Sequence, residues 1–249
     1  MTSESCIRGR VWIPAVIVAS LGLTAGRAAA AQIDQGFAAA GIARIVVDLP
    51  LADDLTLEGK SGDVRVTASG HDDAECRVTV ARDGDTVRVS GVHHHVVHDY
   101  EDCDLVVHVT VPASAAVNVD LGAGAVQLVT LASPLELTLG AGDIKGSISA
   151  TATVKTGAGR IRLRDLTGPV EVKTGVGEIE LAFATAPAGS VHASSGMGTI
   201  DLEFPAGTAV DASLGTGLGS VTNSVPQRDG AATRVRASTG MGAIVLSSR

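Results

Sequence analysis

The sequence predicts an all-β fold, a β-solenoid wound as a flattened parallel β-helix with a less regular N-terminal part. Three observations predict it. A Gly-x-Gly pair recurs seven times at intervals of 17–23 residues, and polar and apolar residues alternate on both sides of each pair. The apolar content is Val, Ile, Leu and Ala, with aromatics at only 2%, a composition suited to stacked strands.

In chain order, the first segment reads as an address. Arg8 and Arg10 precede an apolar run from Val11 to Thr24, and Arg27 leads into four alanines that end at Ala31. A basic start, a short apolar stretch and an A-x-A end describe a secretory signal peptide. The run is shorter than the ~20 residues a spanning helix needs. The expectation is a signal peptide over 1–31, cleaved after Ala31. The remainder, 32–249, is then a single exported domain with no membrane span, periplasmic, secreted or at the cell surface. Cleavage removes three of the 19 basic and one of the 27 acidic side chains, leaving 16 against 26 and a net charge of −10. That balance argues against nucleic acid and anionic membrane as partners, which call for clustered Lys and Arg. Trp12 leaves with the signal, and Phe37, Tyr100, Phe183 and Phe204 remain, too few for a sugar-stacking platform.

Residues 32–116 read as irregular rungs with loops. Gly62–Gly70, Glu75–Gly91 and Asp104–Pro112 alternate clearly, and Asp83-Gly84 has the composition of a tight hairpin turn. Cys76 and Cys103 survive cleavage, and in an oxidising compartment the simplest reading is a disulfide. Its 26-residue loop would stabilise the fold by roughly 3–4 kcal/mol on the chain-entropy argument. Two free thiols, or Cys103 as a metal ligand, are the alternatives.

The insert from His93 to Asp104 is the chemically distinctive segment. His93, His94, His95, His98 and Asp99 crowd together there, followed by Glu101, Asp102 and Cys103. Imidazole with carboxylate suits Zn, Cu or Ni, so the insert is a candidate metal site. The spacing matches no defined metal motif, and a solvated loop between strands is the competing reading.

Residues 117–249 carry the regular repeat. The pairs are Gly122/Gly124, Gly140/Gly142, Gly157/Gly159, Gly175/Gly177, Gly196/Gly198, Gly217/Gly219 and Gly240/Gly242. Five residues before each first glycine stand Val117, Leu135, Ala152, Val170, Val191, Ala212 and Val235. Three before it stand Val119, Leu137, Val154, Val172, Ala193, Leu214 and Ala237, and four after it Val126, Ile144, Ile161, Ile179, Ile200, Val221 and Ile244. The separation between the last two columns is odd, so a straight strand would send them to opposite faces. The chain must turn a corner at the glycines, which permit the backbone conformations required. Such a unit buries its apolar face only by stacking on its neighbours. The general crossover preference makes right-handed coiling the expectation.

The residue between the glycines is always apolar (Ala123, Ala141, Ala158, Val176, Met197, Leu218, Met241), and it is expected to point inward. The column Asp143, Arg160, Glu178 reads as ordinary surface solvation. The chain stops just past Ile244 and Leu246 with no cap over that last rung, which predicts an open edge and an end-to-end homodimer.

Catalytic signatures are weak. The glycine pairs lack the third glycine and following helix of a dinucleotide fingerprint, and no G-x-S-x-G elbow occurs. His192 near Ser194 and Ser195 falls at a polar, outward position. Lys155, Lys173, Asp143 and Glu178 could be assembled as in glycan-cleaving β-helices, but a solvated solenoid surface presents the same residues. No catalytic residue and no cofactor is expected, and the protein is read as non-enzymatic.

The stretches "SGDVRVTASGHDDAECRVTV" and "VHVTVPASAAVNVDLGAGAVQL", with the later "GAGDI", "GAGRIRL", "GVGEIEL" and "GMGTIDL" units, resemble a bacterial family of β-strand-repeat domains of unknown function known as "putative adhesins". The resemblance runs from about Val46 to the C-terminus. It implies a β-helical, non-enzymatic envelope protein with an adhesin-like structural or binding role toward an envelope protein or surface ligand. It carries over no catalytic residues, and the histidine-rich insert and cysteine pair depart from the pattern. The alternative function is a metal-binding envelope protein; a glycan-active enzyme ranks below both.

Overall fold

The structure, a computed structural model, describes residues 31–71, 76–93 and 104–249. Every regular element among them is a strand, and no helix is long and apolar enough to cross a membrane. The N-terminal part comprises β1 (Ala31–Phe37), β2 (Arg44–Gly59), β3 (Val64–His71), β4 (Cys76–Asp83), β5 (Thr86–His93) and β6 (Val106–Val111). In the repeat region β7 (Ala116–Leu131) runs unbroken through its corner. Each later repeat splits into two strands: β8 (Leu135–Ala141) and β9 (Ile144–Ile148), β10 (Ala152–Ala158) and β11 (Ile161–Leu166), β12 (Val170–Val176) and β13 (Ile179–Phe183). Then follow β14 (Gly189–Met197) and β15 (Ile200–Phe204), β16 (Val210–Leu218) and β17 (Val221–Asn223), β18 (Thr233–Met241) and β19 (Ile244–Ser248).

The strands coil into a parallel β-solenoid with two faces. One face runs β5, β2, β7, β8, β10, β12, β14, β18, β16. The other runs β6, β2, β7, β9, β11, β13, β15, β19, β17. Pairing is in register at the repeat positions, so Val154 meets Leu137 and Val172, and Ile161 meets Ile144 and Ile179. The predicted columns become internal files. Val117, Leu137, Val172, Ile179 and Val235 are buried, and Phe183 stacks on Phe204 at 4.8 Å within the core.

The last two rungs are out of chain order. β18 and β19 lie between the β14/β15 rung and the β16/β17 rung. The open end of the stack is therefore β16 with β17, and the C-terminal rung is covered on both sides. This corrects the expectation of an exposed edge at Ile244 and Leu246, both of which are fully buried. The core files thin out at the true end: Val221 is 44% exposed, whereas Ile200 and Ile244 are 0%.

Both glycine columns are required by close stacking. A Cβ on any first glycine would come within 2.6 Å of a carbonyl oxygen in the neighbouring rung, and on any second glycine within 2.2 Å. The second glycines also take φ between 134° and 149°, a region closed to side chains.

Two second glycines, Gly124 and Gly219, depart from the uniform corner that the repeat predicts. Gly124 (φ 138°) does not separate two strands but lies within the unbroken β7. The irregularity there falls on the partner strand, where β2 carries one extra residue between Ala52 and Asp54. Gly142 (φ 134°) does separate β8 from β9 and stacks on Gly124, whose carbonyl oxygen its Cβ would meet at 1.7 Å. Both are half-buried, on the outer side of the bend instead of in the core. Gly219 (φ 147°) is exposed, and it stacks on Gly242 instead of on Gly198, the second glycine of the preceding repeat. Its exposure follows from its place in the last rung, with no further rung over it.

Just before the first glycine lies a column that pattern reading overlooked: Leu121 and Leu139, then Thr156, Thr174, Ser195, Thr239 and Thr216. The hydroxyls of the last four donate to the second-glycine carbonyl of the neighbouring rung, Thr174 to Gly159 (3.4 Å), Ser195 to Gly177 (3.1 Å), Thr239 to Gly198 (3.0 Å) and Thr216 to Gly242 (3.1 Å).

The N-terminal part closes the other end with antiparallel strands. β3 pairs with β6, and β1 with β3, where Arg65 Nε donates to Asp34 Oδ1 at 2.8 Å. β4 pairs with β5 through a hairpin whose central residues are Gly84 and Asp85. The turn thus sits one residue later than predicted, with Gly84 at φ 59° in the position where a II′ turn needs it.

Candidate functional site

The outer corner of the solenoid carries the most distinctive surface. The residues between the glycines stand in register as one file: Leu51, Ala123, Ala141, Ala158, Val176, Met197, Met241, Leu218. They point outward, contrary to the sequence expectation. Val176 is 48% exposed, Met197 44%, Met241 46% and Leu218 69%. The physical reason is the second glycine: its positive φ swings the preceding residue out of the strand's inward parity, and the Leu, Thr or Ser before the first glycine fills the corner instead.

Charge flanks only half of this ridge. Beside its middle, Arg160 N–H donates to Asp143 Oδ1 and Arg160 Nε to Glu178 Oε2, each at 2.8 Å. The column read as plain solvation thus holds one ion pair, Arg160–Glu178, and one carboxylate on a backbone N–H, though an exposed pair of this kind is worth at most ~1 kcal/mol. Toward the open end the corresponding residues are Thr199, Ala243 and Ser220, and on the other flank Lys155 and Lys173 give way to Ser194, Ser238 and Gly215. Met197, Met241 and Leu218 therefore occupy an uncharged apolar patch on an acidic chain.

Two shallow troughs cross the faces. On the second, about 470 Å³ is lined by Arg162, Arg164, Glu180, Asp201, Glu203 and Arg249 among others. Arg162 Nη2 donates to Glu180 Oε1 at 2.8 Å, and this hydrogen bond holds the Glu180 carboxyl below its ordinary range. Asp201 is pushed upward, first by burial and then by the neighbouring Glu180 and Glu203. On the first face, about 630 Å³ lies over His192, Ser194, Arg236 and Ser238. Lys173 Nζ is 2.6 Å from Glu171 Oε1 at its margin.

Neither trough holds a nucleophile engaged with a base. His192 stands in register with Glu171 and Arg236, and Ser195 is buried with its hydroxyl on Gly177. Lys155 and Lys173 pair in register on the first face. Asp143 and Glu178 lie beyond the corner, both taken up by Arg160, so the four are not gathered into one site.

Of the candidate metal ligands, His93 ends β5, where backbone register sets it opposite Cys76. His94, His95, His98, Asp99 and Cys103 lie outside the described residues. Among the described residues no group of three His, Cys, Asp or Glu could hold a metal ion. In the chain, residues 94–103 fall between β5 and β6, which pair with the two halves of β2.

Comparison with known proteins gives one family. The family described as Toastrack DUF4097 matches residues 39–242. No curated protein matches the chain. Among solved structures, a "putative adhesin" from Bacteroides fragilis is 17% identical with a TM-score of 0.49, covering 88% of this chain and 97% of its own. A "putative cell adhesion protein" from Clostridium sporogenes is 12% identical with a TM-score of 0.43, covering 88% and 100%. A "putative adhesin" from Parabacteroides distasonis is 15% identical with a TM-score of 0.28, covering 87% and 98%.

Proposed function

The chain belongs to the Toastrack DUF4097 family, and from that membership we propose that it is a non-enzymatic, exported envelope module with an adhesin-like structural or binding role. The single observation that carries this reading is the outer ridge. Four aliphatic or thioether side chains, each 44–69% exposed, stand in one file from Val176 to Leu218. Apolar side chains gathered on a rigid scaffold mark contact surfaces. The export half rests on the basic, apolar and A-x-A segments of residues 1–31.

Cell fractionation of the full chain, followed by N-terminal sequencing, tests export. The expected product starts at Gln32 outside the cytoplasm; an uncleaved cytoplasmic chain would overturn the reading. Binding is tested by presenting the mature protein on a sensor to intact cells or envelope fragments. Retention should fall when Met197 and Met241 are both replaced by Lys, and retention indifferent to those changes removes the ridge from the argument.

A metal at the histidine-rich insert, residues 93–104, is the second reading, favoured by its run of imidazole and carboxylate donors. Elemental analysis of protein purified without a histidine tag decides it. A stoichiometric metal lost in the His93, His94, His95 and His98 to Ala variant supports the site, and a metal-free wild type refutes it.

A further inference from the structure

We propose that the terminal rung, β16 with β17, is the surface through which two copies of this chain join head to head. The proposal does not depend on the envelope role, and three observations at this rung converge on it.

The core is open there. The apolar files that are buried in the inner rungs end in half-buried Ala212 and Leu214 and in Val221, 44% exposed. No further rung lies over them among the described residues, although their inner neighbours Val235, Ala237 and Ile244 are buried.

The backbone is also unfinished. β16 pairs with β18 on one side only. On the other side a loop serves its first residues: Val210 N–H donates to Pro226 O, Arg228 N–H to Val210 O, and Gln227 Nε2 to Ala212 O. The two-residue period of a parallel strand then places the N–H and C=O of Leu214 and Thr216 on the same edge, past that loop. No strand pairs with them there among the described residues.

Finally, past Ala212 the edge lacks the charges and prolines that keep strand edges apart. Residues 213–223 contain no charged side chain and no proline, whereas exposed edges are usually blunted by both. At the opposite end of the solenoid the edge strands carry Asp34 in β1 and Arg77, Arg82 and Asp83 in β4. Like ends therefore meet, and the contact is isologous and closes at two copies instead of running on as a filament. A second copy supplies both missing components at once, an antiparallel strand for Leu214 and Thr216 and apolar cover from its own Leu214, Leu218 and Val221. Leu218, at 69%, has the most to bury.

Sedimentation equilibrium of the mature protein, from about 1 μM to a few hundred μM and with and without reductant, tests this. The expected mass doubles and goes no further. Amide exchange at Leu214, Thr216 and Val221 should slow as the dimer fills. L218K, at a position already exposed, should keep the wild-type melting temperature and weaken the dimer at least about tenfold. L214K should weaken the dimer as well, with some loss of melting temperature because Leu214 packs against the core, and Q35K on β1 should change nothing. A monomer throughout would leave the edge to a foreign strand and overturn the proposal. So would growth beyond two copies, a dimer that vanishes on reduction, or a dimer indifferent to L218K and L214K.

Discussion

Thr239 Oγ1 donates to the carbonyl oxygen of Gly198 at 3.0 Å across 41 residues of sequence, while Thr216, earlier in the chain, donates to Gly242. The two bonds fix the order of the last three rungs as Gly196/Gly198, Gly240/Gly242, Gly217/Gly219. The order follows from the side chains available. The rung inserted into the stack brings Val235, Ile244 and Leu246 to the core, all fully buried. The rung left outside has Ala212, Val221 and Asn223 at the matching positions. Putting the weaker apolar rung at the end leaves less apolar surface in water.

Removal of residues 233–249 should therefore do more than shorten the solenoid. Among the described residues β16 and β17 pair as strands only with β18 and β19, so the truncated chain loses the contacts of two rungs. We expect no cooperative melting of residues 210–232, read by amide exchange. In point-mutant form, I244A should cost about 3–4 kcal/mol and V221A under about 1 kcal/mol. Equal costs would contradict the rung order.

A glycine inside the stacked columns and one outside them make opposite predictions. G177A places a Cβ 1.9 Å from Gly159 O at φ 149° and should destabilise by about 3 kcal/mol or more. G215A meets nothing within 4 Å and should be neutral or slightly stabilising. Chemical denaturation of both variants gives the comparison.

The hydroxyl column is tested by T239V, which keeps shape and removes the donor to Gly198. The loss should be about 1 kcal/mol, a fall of roughly 2–4 °C in melting temperature for a domain of this size. T216V, at the half-buried end position, should cost less. A stabilised T239V would mean that the hydroxyl contributes nothing to register.

Asp201 supplies a pH dependence. Its carboxyl is pushed above its ordinary 3.8 by burial and by Glu180 and Glu203. The folded state then holds a proton that the unfolded state has released, so stability falls as pH rises from 3.8 through the raised value. D201N should raise the melting temperature at neutral pH by an amount worth about 0.5 kcal/mol or less. The gain should fade below the ordinary carboxylate range. Glu180, pulled down by Arg162, has the opposite sign. E180Q should lose a small stabilisation at neutral pH, and the difference should shrink as acid protonates the wild-type carboxyl.

Much of the fold was legible because its signals are local and repeated. The columns headed by Val117, Val119 and Val126 showed where side chains enter the core, and their odd spacing located the corner. Parity could not show which way the corner residue faces, since the positive φ of the second glycine reverses it; hence Met197 and Met241 were expected inside and stand outside. Nor could seven like glycine pairs show that Gly124 would sit within a continuous strand, or that Gly219 would stack on Gly242; both depend on the partner strand. A signal for the rung order was present but faint. Six positions past the first glycine most copies have Leu, as at Leu163, Leu181, Leu202 and Leu246, and one copy has Asn223. A polar side chain in a core file belongs at an end of the stack. Of the metal candidates, only the backbone position of His93 in β5 lies within the described residues.

Taken alone, the amino-acid order determined the coil, its bends and its internal files, because strand parity and glycine's missing Cβ act within a few residues of one another. Which rung lies beside which was decided only in three dimensions. Parallel neighbours with near-identical repeats offer almost the same hydrogen bonds to any partner. The choice falls to total apolar burial along the stack, a sum over residues far apart in the chain, and that sum placed Ile244 inside and left Val221 at the open end.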